Sequence, residues 1–76
     1  MFNSKSKKAK KEIEEIFNDI QINLENNYKD LAIDARKKAE ARLEELKTSG
    51  ELSDKDYKKL KIKMDDFTKR MEGYHH

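Results

Sequence analysis

The sequence contains no cysteine, no proline and no tryptophan, and it has only two glycines among 76 residues. Without cysteine there is no disulfide framework, no thiolate metal site and no thiol nucleophile. No apolar run approaches the ~18 residues that a membrane-spanning helix needs, and no signal-peptide core follows the basic N-terminus. These absences predict a cytoplasmic protein that does not associate with a membrane.

Charged residues make up 45% of the chain and hydrophobic residues 34%. The 18 basic and 16 acidic residues leave a net charge of only +2, so the chain lacks the high net charge of a disordered protein. The abundance of Lys, Glu, Leu and Ala favours long helices. A single core below ~80 residues barely stabilises itself, so we do not expect it to enclose a deep catalytic pocket. The composition therefore predicts an all-α protein that is not an enzyme.

One stripe of apolar side chains runs along much of the chain. Steps of three and four residues separate its members, as on one face of an α-helix. Ser4 or Ser6 would cap the start, and Lys47-Thr48-Ser49-Gly50 would end the helix because glycine favours the left-handed conformation found there. We therefore expect a flexible basic arm over 1–5 and one long first helix over about 6–48.

The segment after this glycine starts a second helix. Ser53 is a typical N-cap residue, and Leu52 before it can pack on Tyr57 in the first turn. The apolar residues that follow alternate at steps of three and four along a narrow seam, as in a coiled coil. Within a single helical domain over 1–76, the remaining boundaries are then a turn over 49–53, a helix over about 54–72 and a tail over 73–76.

Two helices joined by a short turn pack antiparallel, so the residue numbers of opposed positions have a constant sum. Leu43 then faces Leu60, and the small Ala39 faces the bulky Met64. The other pairs are Leu46 with Tyr57, Ala35 with Phe67, Leu31 with Met71 and Tyr28 with Tyr74. Every seam residue of the second helix finds a partner, which predicts an antiparallel helical hairpin.

This pairing leaves an apolar ridge in the N-terminal half of the first helix without a partner: Ile13, Ile16, Phe17, Ile20 and Leu24. On an unsupported helix, each would forfeit about 1.5–3 kcal/mol of burial. In the arrangement we favour, the long helix is continuous and the apolar ridge is a self-association surface that forms a homodimer. In the alternative, the chain breaks near Asn26-Asn27, Asn27 caps a new helix, and the protein is a monomeric three-helix bundle.

A run of residues in the hairpin follows a known pattern of two leucines, a glycine, an aliphatic residue, a Ser or Thr cap, an acid before an aromatic residue, a lysine and an aliphatic residue. Here these positions are Leu43, Leu46, Gly50, Leu52, Ser53, Asp56, Tyr57, Lys61 and Met64. The stretch resembles the short C-terminal helical-hairpin family known as SHOCT. The resemblance covers 22 of 76 residues. It implies oligomerisation or tethering and brings no catalytic residue.

Five lysines without an intervening acid form a candidate anion-binding arm near the N-terminus: Lys5, Lys7, Lys8, Lys10 and Lys11. Such an arm can neutralise the phosphates of nucleic acid. The adjoining segment 12–34 is acidic, however, and would repel a duplex. Nucleic acid is therefore the alternative partner, and we favour a protein.

The remaining ionisable residues show no pattern for catalysis or metal binding. Paired carboxylates such as Glu14 with Glu15 should face water, where nothing raises a pKa for acid–base work. His75 and His76 lie in the tail and are too few for a metal site. We expect a small non-enzymatic protein–protein interaction or assembly module, an adaptor or inhibitor that docks on a larger partner, with no catalytic residue, metal or cofactor.

Overall fold

The computed structural model describes residues 4–72, and all the regular structure in this range is helical. Helix α1 spans Ser4–Glu25, α2 spans Lys29–Thr48 and α3 spans Asp54–Glu72. No strand occurs in the described range. The all-α class expected from composition and periodicity is therefore confirmed.

The single long first helix expected over about 6–48 fits the structure only loosely, because a turn over 26–28 divides this range into α1 and α2. The break falls near Asn26-Asn27, as in the alternative three-helix arrangement. Residues 4 and 5 of the expected basic arm belong to α1, while 1–3 and the expected tail over 73–76 lie outside the described residues.

The first turn, over 26–28, ends α1 without a glycine. Asn27 has a φ of 61°, in the left-handed region that asparagine tolerates better than most residues. Its amide donates to the Leu24 carbonyl (3.2 Å), and the Tyr28 amide donates to the Asn23 carbonyl (2.8 Å). This is the Schellman pattern of a helix C-terminus. Asn27 therefore does not cap α2, whose N-cap position is Tyr28, with no side-chain cap hydrogen bond.

The second turn, over 49–53, uses the same backbone pattern around a glycine. Gly50 has a φ of 82° and donates its amide to the Lys47 carbonyl (3.1 Å), while the Glu51 amide donates to the Leu46 carbonyl (3.0 Å). The Asp56 amide then donates to Ser53 Oγ (3.1 Å), which confirms Ser53 as the N-cap of α3. This turn matches the sequence prediction in both of its capping residues.

Contacts between side chains define the directions of the helices. Ser6 donates to Asp56 (3.4 Å) near the start of α1 and of α3, and Arg70 donates to Gln21 (2.7 Å) near the end of both. Helices α1 and α3 are therefore parallel. Arg42, near the end of α2, reaches back to Glu12 of α1, so α2 runs in the opposite direction. The result is an up-down-up bundle in which each helix contacts the other two.

The core is formed by apolar side chains from all three helices and the second turn. Phe17 and Phe67 meet at its centre with ring centroids 5.5 Å apart. Complete burial of such a side chain contributes about 1.5–3 kcal/mol. The buried set is Ala9, Ile13, Ile16, Phe17, Ile20, Leu24, Ala32, Ala39, Leu43, Leu46, Leu52, Leu60, Met64, Phe67 and Met71.

The residue pairs predicted for the hairpin differ in burial along its length. Leu43 and Leu60, like Ala39 and Met64, are buried, and their pair-by-pair register stays a prediction. The outer positions Leu31 and Tyr28 are more than half exposed and do not belong to the core. Since α1 folds back onto both other helices, the core is closed from three sides without them.

Candidate interaction surfaces

The apolar ridge proposed for self-association lies inside the bundle of a single chain. Its five residues have relative exposures between 0% and 6%: Ile13, Ile16, Phe17, Ile20 and Leu24. They are packed in the same cluster as the buried residues of α2 and α3. One chain therefore buries the ridge against its own α2 and α3 without a second copy, and the expectation that these residues are a self-association surface stays a prediction.

Two large apolar side chains are left exposed where α1 meets α2. Tyr28 is 57% exposed and Leu31 is 54% exposed. Both line an open depression whose other lining residues are Asn27, Lys29 and Asp30. We call Tyr28 and Leu31 the junction surface. Ile22, in the last turns of α1, is also exposed, at 45%.

The exposure of the junction surface follows from the turn. Ala32 is the first fully buried residue of α2, and Leu31 precedes it by one residue, or about 100° around the helix. Leu31 therefore points away from the core. Tyr28 follows the left-handed Asn27, where the chain has left the axis of α1. Both residues continue the apolar spacing of α1 in sequence, but the turn removes them from its face.

Among the five lysines of the anion-binding arm, three have exposed side chains: Lys7, Lys8 and Lys11. Lys10 is partly buried, and its Nζ lies 3.6 Å from the Asp56 carboxylate of α3. Lys5 belongs to α1, and its side chain is outside what the structure describes. The arm is thus the first half of a packed helix, with one of its charges engaged by α3.

Helix α3 adds lysines along its boundary with α1. The Lys63 ammonium lies 5.8 Å from the centre of the Phe17 ring of α1. Lys59 is one turn earlier on the same side of α3 and is exposed. Phe17 lies beyond the basic half of α1. Because α1 and α3 are parallel and Lys10 pairs with Asp56, Lys59 lies closer along the helix axis to the basic half than Lys63 does. The sequence alone did not predict that lysines of α1 and lysines of α3 share one end of the bundle, since this depends on α1 folding back along α3.

Two polar contacts tie α2 to its neighbours. The Arg42 guanidinium donates to both Glu12 carboxylate oxygens (2.6 and 3.2 Å), and this bond to Arg42 lowers the pKa of Glu12 below its ordinary value of 4.5. Tyr57 of α3 donates its hydroxyl to the Glu44 carboxylate, which raises the pKa of Tyr57 above 10.0. Both contacts lie at the protein surface, where each has a structural role.

The ionisable side chains that could bind a metal or act in acid–base chemistry are not buried in the described range. No group of three His, Cys, Asp or Glu side chains within 4–72 could hold a metal ion, and His75 and His76 lie outside this range. Paired carboxylates such as Glu14 with Glu15 face solvent, and no charged or polar residue of the described part is buried. None of its helices is both long and apolar enough to cross a bilayer.

Comparison with known proteins adds no relative. No family model matches the chain, and neither a curated protein nor a solved structure is significantly similar to it. The resemblance of residues 43–64 to the SHOCT hairpin stays a prediction.

Proposed function

We propose that this chain is a small non-enzymatic protein–protein interaction or assembly module, an adaptor or inhibitor that docks on a protein partner through its junction surface. The protein partner in this proposal can be a second copy of the chain. A cytoplasmic location stays a prediction. Its support is the contrast between a core that is closed by one chain and two neighbouring apolar side chains, Tyr28 and Leu31, that remain outside it. Exposed apolar side chains that cluster mark interaction sites more often than single ones do.

Ile62 provides an internal comparison for this interpretation. It is 70% exposed, but it lies on α3 among the charged residues Lys58, Lys59, Asp65 and Asp66. A single apolar side chain on a solvated face is normal for a soluble protein and needs no partner. The junction surface differs because its two large side chains line one depression.

Affinity capture with three matched baits tests the proposal. Immobilised wild-type protein, Leu31→Asp and Ile62→Asp are exposed to an extract of the native cells, and the bound proteins are quantified by mass spectrometry. We expect a partner that the wild type and Ile62→Asp retain and Leu31→Asp loses. Equal capture by all three baits, or no capture above background by the wild type, would contradict docking through the junction surface. Circular dichroism verifies that all three baits are folded.

A second candidate function is association with nucleic acid through the basic side of α1 and α3. The observation that favours it is the ion pair of Lys10 with Asp56, which brings the first turns of α3, including the exposed Lys59, level with the exposed Lys7 and Lys11. Lysines held on one side of two parallel helices can contact several phosphates, and binding then weakens steeply with salt.

An oligonucleotide binding assay at low and at moderate salt tests this second candidate. Substitution of both Lys7 and Lys11 by Gln should weaken binding and reduce its salt dependence, whereas substitution of both Lys37 and Lys38 of α2 by Gln serves as a control that also removes two exposed charges. Absence of binding by the wild type at low salt, or equal losses in both variants, would exclude the lysine surface as a nucleic-acid site.

A further inference from the structure

We infer that a partner of the junction surface is a second copy of this chain, and that the two copies exchange α1. In the exchanged dimer the turn over 26–28 straightens, α1 and α2 form one helix over 4–48, and α1 of each copy packs on α2 and α3 of the other. The inference rests on the proposed function, because it takes the junction surface as the protein-binding end of the bundle and names its occupant.

The first observation is the conformation of the turn. Asn27 is the only residue other than glycine that has a positive φ within the described range. Left-handed backbone is unfavourable for a residue with a Cβ, and a right-handed Asn27 would let the helix continue. Neither proline nor glycine occurs between α1 and α2, and no side-chain hydrogen bond caps α2. The turn therefore has few features that oppose straightening, and short strained hinges favour exchange.

The second observation is the apolar spacing across the turn. In the sequence, Leu24, Tyr28, Leu31 and Ala35 follow one another at steps of four, three and four. On a continuous helix all four would lie on the same face. In the observed bundle the spacing is interrupted, and Tyr28 and Leu31 are exposed. Straightening the turn would restore them to the face that carries the apolar ridge.

The third observation is the register between α1 and α2. Arg42 is bonded to Glu12, and these two residues are equally distant in sequence from Asn27. If the straightened helices of two copies packed antiparallel in this register, with Glu12 of one beside Arg42 of the other, a two-fold axis would pass between them near Asn27. Tyr28 and Leu31 of each copy would then lie beside the axis and face the other copy. Every contact between the helices is retained in the exchange, and the junction surface becomes buried in addition.

Thiol cross-linking measures the exchange directly, because the natural sequence has no cysteine. In the double variant Glu12→Cys/Arg42→Cys, a short bismaleimide joins α1 to the α2 on which it packs. We expect covalent dimers from this variant at high micromolar concentration. The matched control is Glu44→Cys/Tyr57→Cys, which joins α2 to α3 of the same copy in either state and should give cross-linked monomers only. The products are separated by denaturing electrophoresis.

Two substitutions at the hinge should shift the equilibrium in opposite directions. Asn27→Ala disfavours the left-handed turn and favours the helix, while Asn27→Gly does the reverse. Because each dimer contains two straightened turns, we expect the dimer of Asn27→Ala to be at least about tenfold tighter than that of Asn27→Gly. Sedimentation equilibrium measures both dissociation constants, and circular dichroism verifies that both variants are helical.

The outcomes separate this inference from the proposed function. Monomeric, folded Asn27→Ala at high micromolar concentration overturns the exchange, and the capture experiment with Leu31→Asp then decides the docking function by itself. A dimer whose Glu12→Cys/Arg42→Cys cross-links stay within one chain also overturns the exchange, although it supports self-association. Intermolecular cross-links in the Glu44→Cys/Tyr57→Cys control would show non-specific contact and likewise contradict the inference.

Discussion

The two turns of the bundle end their helices with the same backbone hydrogen bonds but differ in the residues that come next. After Gly50, the buried Leu52 and the capping Ser53 hold the chain in place. After Asn27, Tyr28 is exposed and makes no side-chain cap. The second turn is therefore specified by Gly50, Leu52 and Ser53, whereas the first relies on its backbone bonds, on the hydrogen bond that the Asn26 side chain donates to the Ile22 carbonyl (3.0 Å) and on the packing of α1. This difference locates the adaptable part of the molecule at the first turn.

Leucine at position 52 and tyrosine at position 28 should respond very differently to truncation. Leu52→Ala removes a buried side chain and should lower the free energy of unfolding by about 2–4 kcal/mol. Tyr28→Ala removes an exposed one and should change it by no more than about 0.5 kcal/mol. Urea unfolding at low micromolar concentration gives both values. Similar losses in the two variants would mean that the first turn is held by Tyr28 after all.

Glycine at position 50 provides the next largest effect. Nothing lies within 4 Å of the position that a Cβ would take, so Gly50→Ala should cost only the unfavourable left-handed backbone, about 1–2 kcal/mol. Gly50→Asn makes the second turn resemble the first and should cost less, because asparagine tolerates this conformation. Thermal unfolding compares the two variants. A larger loss for Gly50→Asn than for Gly50→Ala would refute the backbone explanation.

The serine cap of α3 should rank with Gly50 or slightly below it. Ser53→Ala removes the acceptor of the Asp56 amide and should lower the free energy of unfolding by about 1 kcal/mol. Ser53→Asp retains an acceptor at this position and serves as the matched control. Both are measured by urea unfolding. If Ser53→Asp lost as much stability as Ser53→Ala, the hydrogen bond would not be the cause.

The same contrast explains why only one of the two turns could be predicted from the sequence. Gly50 and Ser53 indicate the second turn because glycine is typical just after the end of a helix and serine is typical at the N-cap of the next one. Asn27 gives no comparable signal: asparagine lowers helix propensity only mildly, and the apolar spacing continues through it to Leu31. Local patterns therefore favoured one long helix, and the break is decided by a non-local term, the burial of the apolar ridge against α2 and α3.

The candidate interaction surfaces could be predicted from the sequence to a smaller extent than the second turn. The lysines of α1 were visible as a cluster, but the position of Lys59 of α3 level with them depends on α1 and α3 being parallel. The apolar ridge was identified as a set of residues that must be buried, and one chain buries it without the second copy that we expected. Tyr28 and Leu31 were assigned to the hairpin seam since their spacing fits it, but in the structure, where the turn over 26–28 interrupts the helix, both are exposed.

The smallest effects concern the two polar contacts of α2, which have opposite pH dependence. Glu12 has a lowered pKa because Arg42 bonds its ionised form, so this contact stabilises the fold at neutral pH and is lost as the pH falls below 4.5. Tyr57 has a raised pKa since its protonated hydroxyl bonds Glu44, so its contribution is present below pH 10.0 and is lost at higher pH. Both side chains are only partly buried, and solvent screening keeps their contributions small.

Two single variants measure these contacts in separate pH ranges. The wild type should be slightly more stable than Glu12→Gln at pH 7, and the difference in urea midpoint should vanish as the pH falls through 4.5 and below. The difference between the wild type and Tyr57→Phe should instead be present at neutral pH and vanish above pH 10.0. A difference that persisted unchanged across either pH range would mean that the ionisable group is not its cause. Because the exchanged dimer would retain both contacts, neither substitution should change the dimer fraction at pH 7, in contrast to the substitutions of Asn27.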